Sequence, residues 1–143
     1  MNHKSITDEE LLYAAKEARK GAYSPYSNIS VGAALLTGDG KIYTGANIEN
    51  ASFTPTVCAE RVAFFKAISE GEKNFDAIAI YGGKNGESAT TIFTPCGVCR
   101  QVMSEFCDEN FRIIVSDGTS IKCYPLSELF PHGFDKNSLG VII

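Results

Sequence analysis

Two short stretches constrain this chain more than anything else in it: Cys58-Ala59-Glu60-Arg61 and Pro95-Cys96-Gly97-Val98-Cys99-Arg100. A Cys-x-x-Cys pair lets two sulfurs reach one ion from a tight turn, and Cys58 offers a third ligand from elsewhere. Zinc takes thiolates in a tetrahedron, and a site with three protein ligands leaves its fourth position for water. Each stretch also precedes a helical pattern, so the fold has to bring two helix starts to one point. Glu60 is a poor fourth ligand beside three soft thiolates, but it is well placed to move protons to and from solvent activated at the metal.

The local consequences are electrostatic. Unpaired N–H groups and the dipole at a helix N-terminus favour thiolate over thiol. Three thiolates on Zn²⁺ leave a net charge of −1, which Arg61 is placed to offset. Cys58 and Glu60 are two apart and would not share a face of a regular helix. Cys58 is therefore expected at or just before the first turn. Cys107 and Cys123 stand in apolar stretches and are expected to be buried, inert thiols.

Thr7-Asp8-Glu9-Glu10 is a capping box, followed by Leu11, Leu12, Ala15, Ala18 and Ala22 at helical spacing. Gly21 is the predicted left-handed stop. A loop with Pro25 leads to a strand over Ile29 to Leu36, whose small Gly32, Ala33 and Ala34 permit close approach of another element. Gly38-Asp39-Gly40 turns into a second strand, Lys41 to Gly45. The polar stretch 46–57 is of the length that loops in compact domains reserve for function. A helix follows from Cys58 to Glu70, with Val62, Phe65 and Ile68 apolar and Gly71 as its cap.

The run Asp76 to Gly82 is a buried central strand. A helix from Gly97 to about Cys107 carries Val98, Val102 and Phe106 on one side. Phe111 to Ser116 is another buried strand; Asp117-Gly118 turns into Ile121 to Tyr124, Ser127-Glu128-Leu129 is a short turn, and the tail from Pro131 is irregular. Phe64, Phe65, Phe75, Phe93 and Phe111 are expected in the core. Strands alternating with helices predict the α/β class, as a three-layer α/β/α sandwich with a mixed five-stranded sheet. The 143 residues are expected to form one domain, 1–143.

Composition excludes several classes. The net charge of −4 and the absence of a basic run argue against a protein that grips phosphates, so no nucleic-acid partner is expected. No run of about 18 apolar residues occurs, which excludes a membrane-spanning helix. Met1 to Ser5, including His3, is followed by no apolar segment, so no signal peptide is expected. A cytoplasmic protein follows, in which cysteines more often mean metal or catalysis than disulfides.

Thiolate zinc ligands, a Glu that is not a ligand, and Pro-Cys-x-x-Cys form the arrangement of zinc deaminases. With Asn47-Ile48-Glu49-Asn50-Ala51 upstream, the motifs resemble the cytidine deaminase family of small free-nucleoside enzymes, from about Tyr23 to Phe134. On spacing alone Asn47 and Glu49 are loop residues. In an extended segment, however, alternate side chains point the same way, and the resemblance implies that the two hold the ribose 3′-hydroxyl. It also implies one zinc per subunit on Cys58, Cys96 and Cys99, with Arg61 touching bound sulfur. The Ala59 N–H would meet the base, and the carbonyl before Pro95 the amine.

By the same resemblance the assembly is a homotetramer in which Phe134 reaches a neighbour's site. Ile29 stands near the base where the family commonly has Phe, and Phe53 where it often has Tyr.

The implied reaction is hydrolytic deamination of cytidine and 2′-deoxycytidine. Glu60 takes a proton from activated water, attack falls on C4 of cytosine, and Glu60 hands protons to N3 and the leaving amine. A deaminase of a cytosine nucleoside antibiotic of the blasticidin S type carries the same three-thiolate zinc and is the alternative. A non-catalytic zinc-stabilised binding module is a further rival.

Overall fold

Thr7 starts the first helix: its hydroxyl oxygen accepts from the Glu10 N–H at 3.1 Å, and α1 runs Asp8–Ala18. The chain then tightens into a 3₁₀ turn over Arg19–Gly21, closed by Ala22 N–H on the Arg19 carbonyl at 3.1 Å. Gly21 is not left-handed. The predicted stop is unnecessary because the tighter turn satisfies the last carbonyls itself. This computed structural model describes residues 5–143; His3 lies outside the described residues.

The remaining elements are β1 (Ile29–Thr37), β2 (Ile42–Ala46), α2 (Ala59–Ser69), β3 (Phe75–Lys84), α3 (Gly97–Phe106), β4 (Arg112–Ser116), β5 (Ile121–Pro125), a single-turn α4 (Leu126–Leu129) and, in the tail expected to be irregular, a 3₁₀ turn over Lys136–Leu139 capped by Asp135. They build one five-stranded sheet in the order β2-β1-β3-β4-β5. β1 pairs antiparallel with β2 and β3, β3 runs parallel to β4, and β5 closes antiparallel on β4. The parallel pair requires a crossover, and α3 supplies it. Gly40, at φ +88°, takes the left-handed position of the β1–β2 turn.

Central strands alternate between two apolar faces. Ala33, Leu35, Ile78, Ile80, Ile113 and Val115 point towards α2 and α3. Ala34, Leu36, Ala77, Ala79 and Ile114 point towards Leu11, Leu12 and Ala15 of α1. The result is the three-layer α/β/α sandwich with a mixed sheet. Phe64 anchors the larger core, with Phe75 at 5.3 Å and Phe111 at 6.0 Å between ring centroids. Burying each such ring contributes about 1.5–3 kcal/mol. Across the α1 side, Arg112 Nη1 meets Asp8 Oδ1 at 2.8 Å.

Two expected faces are rotated. In α2 the buried row is Ala59, Ala63, Phe64 and Ala67, whereas Phe65 is 49% exposed. In α3 the buried pair is Cys99 and Met103; Val98 is 56% exposed and Phe106 38%. Rows i, i+4 occur both from Val98 and from Cys99, and the sulfur ligand selects the second. Cys123 is exposed on β5, the sheet edge, contrary to expectation, while Cys107 is half-buried and burial pushes its thiol up. Among the described residues no helix is long and apolar enough to cross a membrane.

The close approach expected at Gly32 is severe. A Cβ there would stand 1.9 Å from the Ala15 carbonyl oxygen and 2.6 Å from the Arg19 nitrogen, both backbone atoms. Overpacking of this kind costs about 1–3 kcal/mol or more. Gly32→Ala should therefore lower the urea midpoint by an amount equivalent to at least about 2 kcal/mol at unchanged m-value; an unshifted midpoint would contradict the packing of α1 on β1.

Candidate active site

Cys58 and Cys96 are the residues immediately ahead of α2 and α3, both extended, at φ −75°, ψ 154° and φ −68°, ψ 168°. That conformation turns each side chain back over the start of its own helix. Cys99 follows in the first turn of α3 and is 1% exposed. Cys58 Sγ and Cys99 Sγ each lie 3.6 Å from Cys96 Sγ, and all three sulfurs fall within 4.8 Å of one another. Zinc–sulfur bonds of about 2.3 Å in a tetrahedron need sulfur separations of about 3.8 Å. The donor set therefore fits one zinc ion.

The helix starts are pressed into place. A Cβ on Gly45 of β2 would lie 2.4 Å from the Ala59 carbonyl oxygen, so the bare backbone of β2 seats the first turn of α2. Arg61 Nη2 stands 3.6 Å from Cys58 Sγ, and Arg61 Nε is buried with no partner. A hydrogen bond from Cys99, then those from Arg61 and Cys96, hold the Cys58 thiol down at about 5 against opposing desolvation. Cys99 moves the other way, because it donates to Cys58 and is buried beside it. A dication bound by the three sulfurs would displace the thiol protons.

Glu60 is buried, at 4% exposure. Burial first, and the adjacent Cys58 charge second, push its carboxyl up to about 7. A carboxylate so tuned accepts and returns protons near neutral pH.

A cavity of about 260 Å³ opens above these groups. Cys58, Glu60 and Cys96 line it together with Asn47 and Glu49, and Val31, Ile80 and Phe93 add apolar lining. Thr94 and Ala59 also line it. Through Glu49 and Thr56 it joins an outer hollow of about 330 Å³ bounded by Tyr26, Ser27 and Phe53. A larger hollow, about 450 Å³ beside Phe130 and His132, contains none of these groups.

Asn47 and Glu49 are tied to the scaffold. Asn47 Oδ1 accepts from Val31 N–H at 2.8 Å and Asn47 Nδ2 donates to the Ile29 carbonyl at 2.9 Å. Glu49 Oε1 accepts from the N–H groups of Tyr26 and Ser27 at 2.9 and 3.1 Å. The structure thus brings together Cys58, Cys96, Cys99, Ala59, Glu60, Asn47 and Glu49, with Arg61 alongside. It leaves two others apart: Ile29 opens β1 without lining the cavity, and Phe134 is 59% exposed, its carbonyl held by Gln101 Nε2 at 2.7 Å.

Phe93 packs against the larger core as expected and also forms cavity wall. Its ring packs on Gly82, where a Cβ would come within 2.6 Å; the pair Gly82-Gly83 ending an apolar strand was the available signal. Arg100 donates to the Pro95 carbonyl at 2.7 Å, Thr94 Oγ1 at 3.2 Å and the Leu129 carbonyl at 2.5 Å. It fixes the segment ahead of Cys96 to the end of α4.

Residues 5–115 match the sequence model described as the cytidine and deoxycytidylate deaminase zinc-binding region. Cytidine deaminase from Sporosarcina psychrophila is 43% identical over 132 residues, covering 92% of this chain and 93% of that protein. A crystal structure of cytidine deaminase from Burkholderia pseudomallei superposes with TM-score 0.82 at 41% identity, covering 90% of this chain and all of that one. Blasticidin-S deaminase from Bacillus cereus is 33% identical over 137 residues, 93% of this chain and 96% of the relative. A match that takes in both cysteine stretches and the sheet that carries them leaves one conclusion: the chain belongs to the cytidine and deoxycytidylate deaminase zinc-binding family.

Proposed function

We propose that this chain hydrolyses cytidine and 2′-deoxycytidine to uridine and 2′-deoxyuridine with release of ammonia, residues 1–143 acting as one catalytic domain. The observation that carries the reading is the buried Glu60 beside the three-sulfur cluster, in the lining of a cavity that Asn47 and Glu49 share. The similarity to cytidine deaminases over nine-tenths of the chain supports the same substrate class.

Zinc held by Cys58, Cys96 and Cys99 supplies Lewis-acid activation of a water molecule, lowering its pKa from about 15.7 towards about 7. Glu60 takes one proton from the attacking water and delivers it to N3 of the base. It then takes the second from the new hydroxyl on C4 and carries it to the amine, which leaves as ammonia as the C4–N bond breaks. Its burial keeps bulk water from levelling its pKa, and Arg61 offsets the thiolate charge. The Ala59 N–H, unpaired at the first turn of α2, is available to the base carbonyl, and the Thr94 carbonyl to the amine. Asn47 and Glu49 take the ribose 3′-hydroxyl; a carboxylate there repels a phosphate and so selects nucleoside over nucleotide.

Ile29 and Phe134 are the remaining base contacts in this reading. Phe134 is exposed and does not line its own protomer's cavity, which suits delivery to a neighbour in a homotetramer. A cytoplasmic enzyme of pyrimidine salvage is the setting that such a substrate and cysteine usage favour. The net charge of −4 supports a small-molecule substrate over a polynucleotide.

The relative named for blasticidin S keeps a second substrate in view. Purified zinc-loaded protein given cytidine and blasticidin S in competition should release ammonia from cytidine with the greater kcat/KM; the reverse preference would overturn the assignment. Glu60→Ala should keep about one zinc per chain while turnover falls by about 10²–10⁴-fold, and more than a few per cent of residual activity would remove Glu60 from the proton path. Truncation before Phe134 should cost most activity at unchanged zinc content. Full activity in the truncated chain would exclude its part in the site.

A further inference from the structure

The loop ahead of β1 contains a residue that the reaction as described does not use. Ser27 N–H donates to Glu49 Oε1 at 3.1 Å, beside Tyr26 N–H at 2.9 Å, and the Ser27 hydroxyl donates to Glu49 Oε2. The same hydroxyl oxygen accepts from Ile29 N–H at 3.1 Å, so its single proton is committed to Glu49. Asn28, left-handed at φ 63°, reverses the chain just after it. Its carbonyl is held by Asn85 N–H at 2.9 Å, and Asn85 Oδ1 accepts from the buried Ser24 at 2.9 Å. The loop is thus fixed to the end of β3, and Glu49 is fixed to the loop.

We propose that Ser27 is the positioning residue of the sugar end: it orients the Glu49 carboxylate and leaves it one open acceptor site for a single substrate hydroxyl. The inference rests on the assignment of Glu49 to the ribose 3′-hydroxyl. An ionised carboxylate offers about four acceptor sites. Tyr26 and Ser27 occupy three, two of them through Ser27, and the fourth is left to the cavity that Glu49 lines. These bonds also hold the Glu49 carboxyl below its ordinary value, the Ser27 hydroxyl contributing most, which keeps it an acceptor. A hydroxyl contact of this kind is the same in ground and transition states, so its loss falls on KM.

The test compares cytidine with 3′-deoxycytidine on zinc-loaded wild type, Ser27→Ala, Ser27→Thr, Glu49→Gln and the Ser27→Ala/Glu49→Gln double variant. Ser27→Ala should raise KM for cytidine by about tenfold, as expected for one charge-assisted hydrogen bond. KM for 3′-deoxycytidine should stay within about twofold of wild type, so the sugar preference collapses. Ser27→Thr, which keeps the hydroxyl, should restore the preference, and the double variant should be no worse than Glu49→Gln alone. If Ser27→Ala raises both KM values equally, or neither, while Glu49→Gln abolishes the preference, Ser27 only braces the loop and the proposal fails. Should Glu49→Gln itself keep the wild-type preference, the assignment of Glu49 is wrong and the proposal falls with it.

Discussion

Two helices begin at the same point, and the rest of the molecule is arranged so that they can. Bringing three sulfurs within 4.8 Å of one another invites repulsion as soon as they ionise. Two N-terminal dipoles, the Arg61 guanidinium and a bound dication together make that charge tolerable. The sheet order supplies the geometry. β3 hands the chain to α3 next to α2, at the carboxyl end of the parallel pair β3–β4, where ligands of open α/β sheets bind. Gly45 and Gly82 matter for the same reason. One lets β2 press on the first turn of α2, and the other lets Phe93 lie against the end of β3.

The cavity combines polar groups with an apolar wall, and its polar groups are held in place before any ligand binds. Glu60 is fixed by burial. Asn47 spends its amide on the backbone of β1, and Glu49 spends most of its carboxylate on the Tyr26–Ser27 turn. Side chains immobilised before a ligand arrives need not be ordered by it, so more of the contact energy remains for binding and orientation. Arg100 acts similarly on the metal side, holding the backbone at Pro95 and Leu129 with one planar guanidinium.

Much of this was legible in local signals. Thr7 as a cap, Gly71 at φ +98° after α2, and both cysteine stretches as helix starts are short-range features that the sequence states directly. So are the strand alternation and the close contact at Gly32. The misses share a cause: each needed the partner of a face, not its periodicity. Val98 and Phe106 form a regular apolar row, yet Cys99 must face the α2 start and drags Met103 inward with it. Phe65 turns outward because its neighbour Phe64, with Ala59, Ala63 and Ala67, takes the face of α2 that meets the sheet. The part of Phe93 in the cavity wall could be read only with Gly82 in view, and Cys123 placed only once β5 was known to be the edge strand. The bonds of Asn47 and Glu49 to the backbone have no sequence signature at all.

The misplaced apolar side chains bear on the proposed assembly. Phe65 and Val98 project from the two helices that carry the metal ligands, and Phe53 and Phe134 lie in loops; all four are exposed in the protomer. Scattered exposed hydrophobes are ordinary, but an interface that covered these four would gain by the area rule of about 25 cal/mol per Å². A tetramer built there would cover what the protomer leaves bare and could close the cavity with a residue that no single copy brings to it. Dissociation should then cost activity before it costs zinc, because Cys58, Cys96 and Cys99 all come from one chain whereas the base-stacking wall would not.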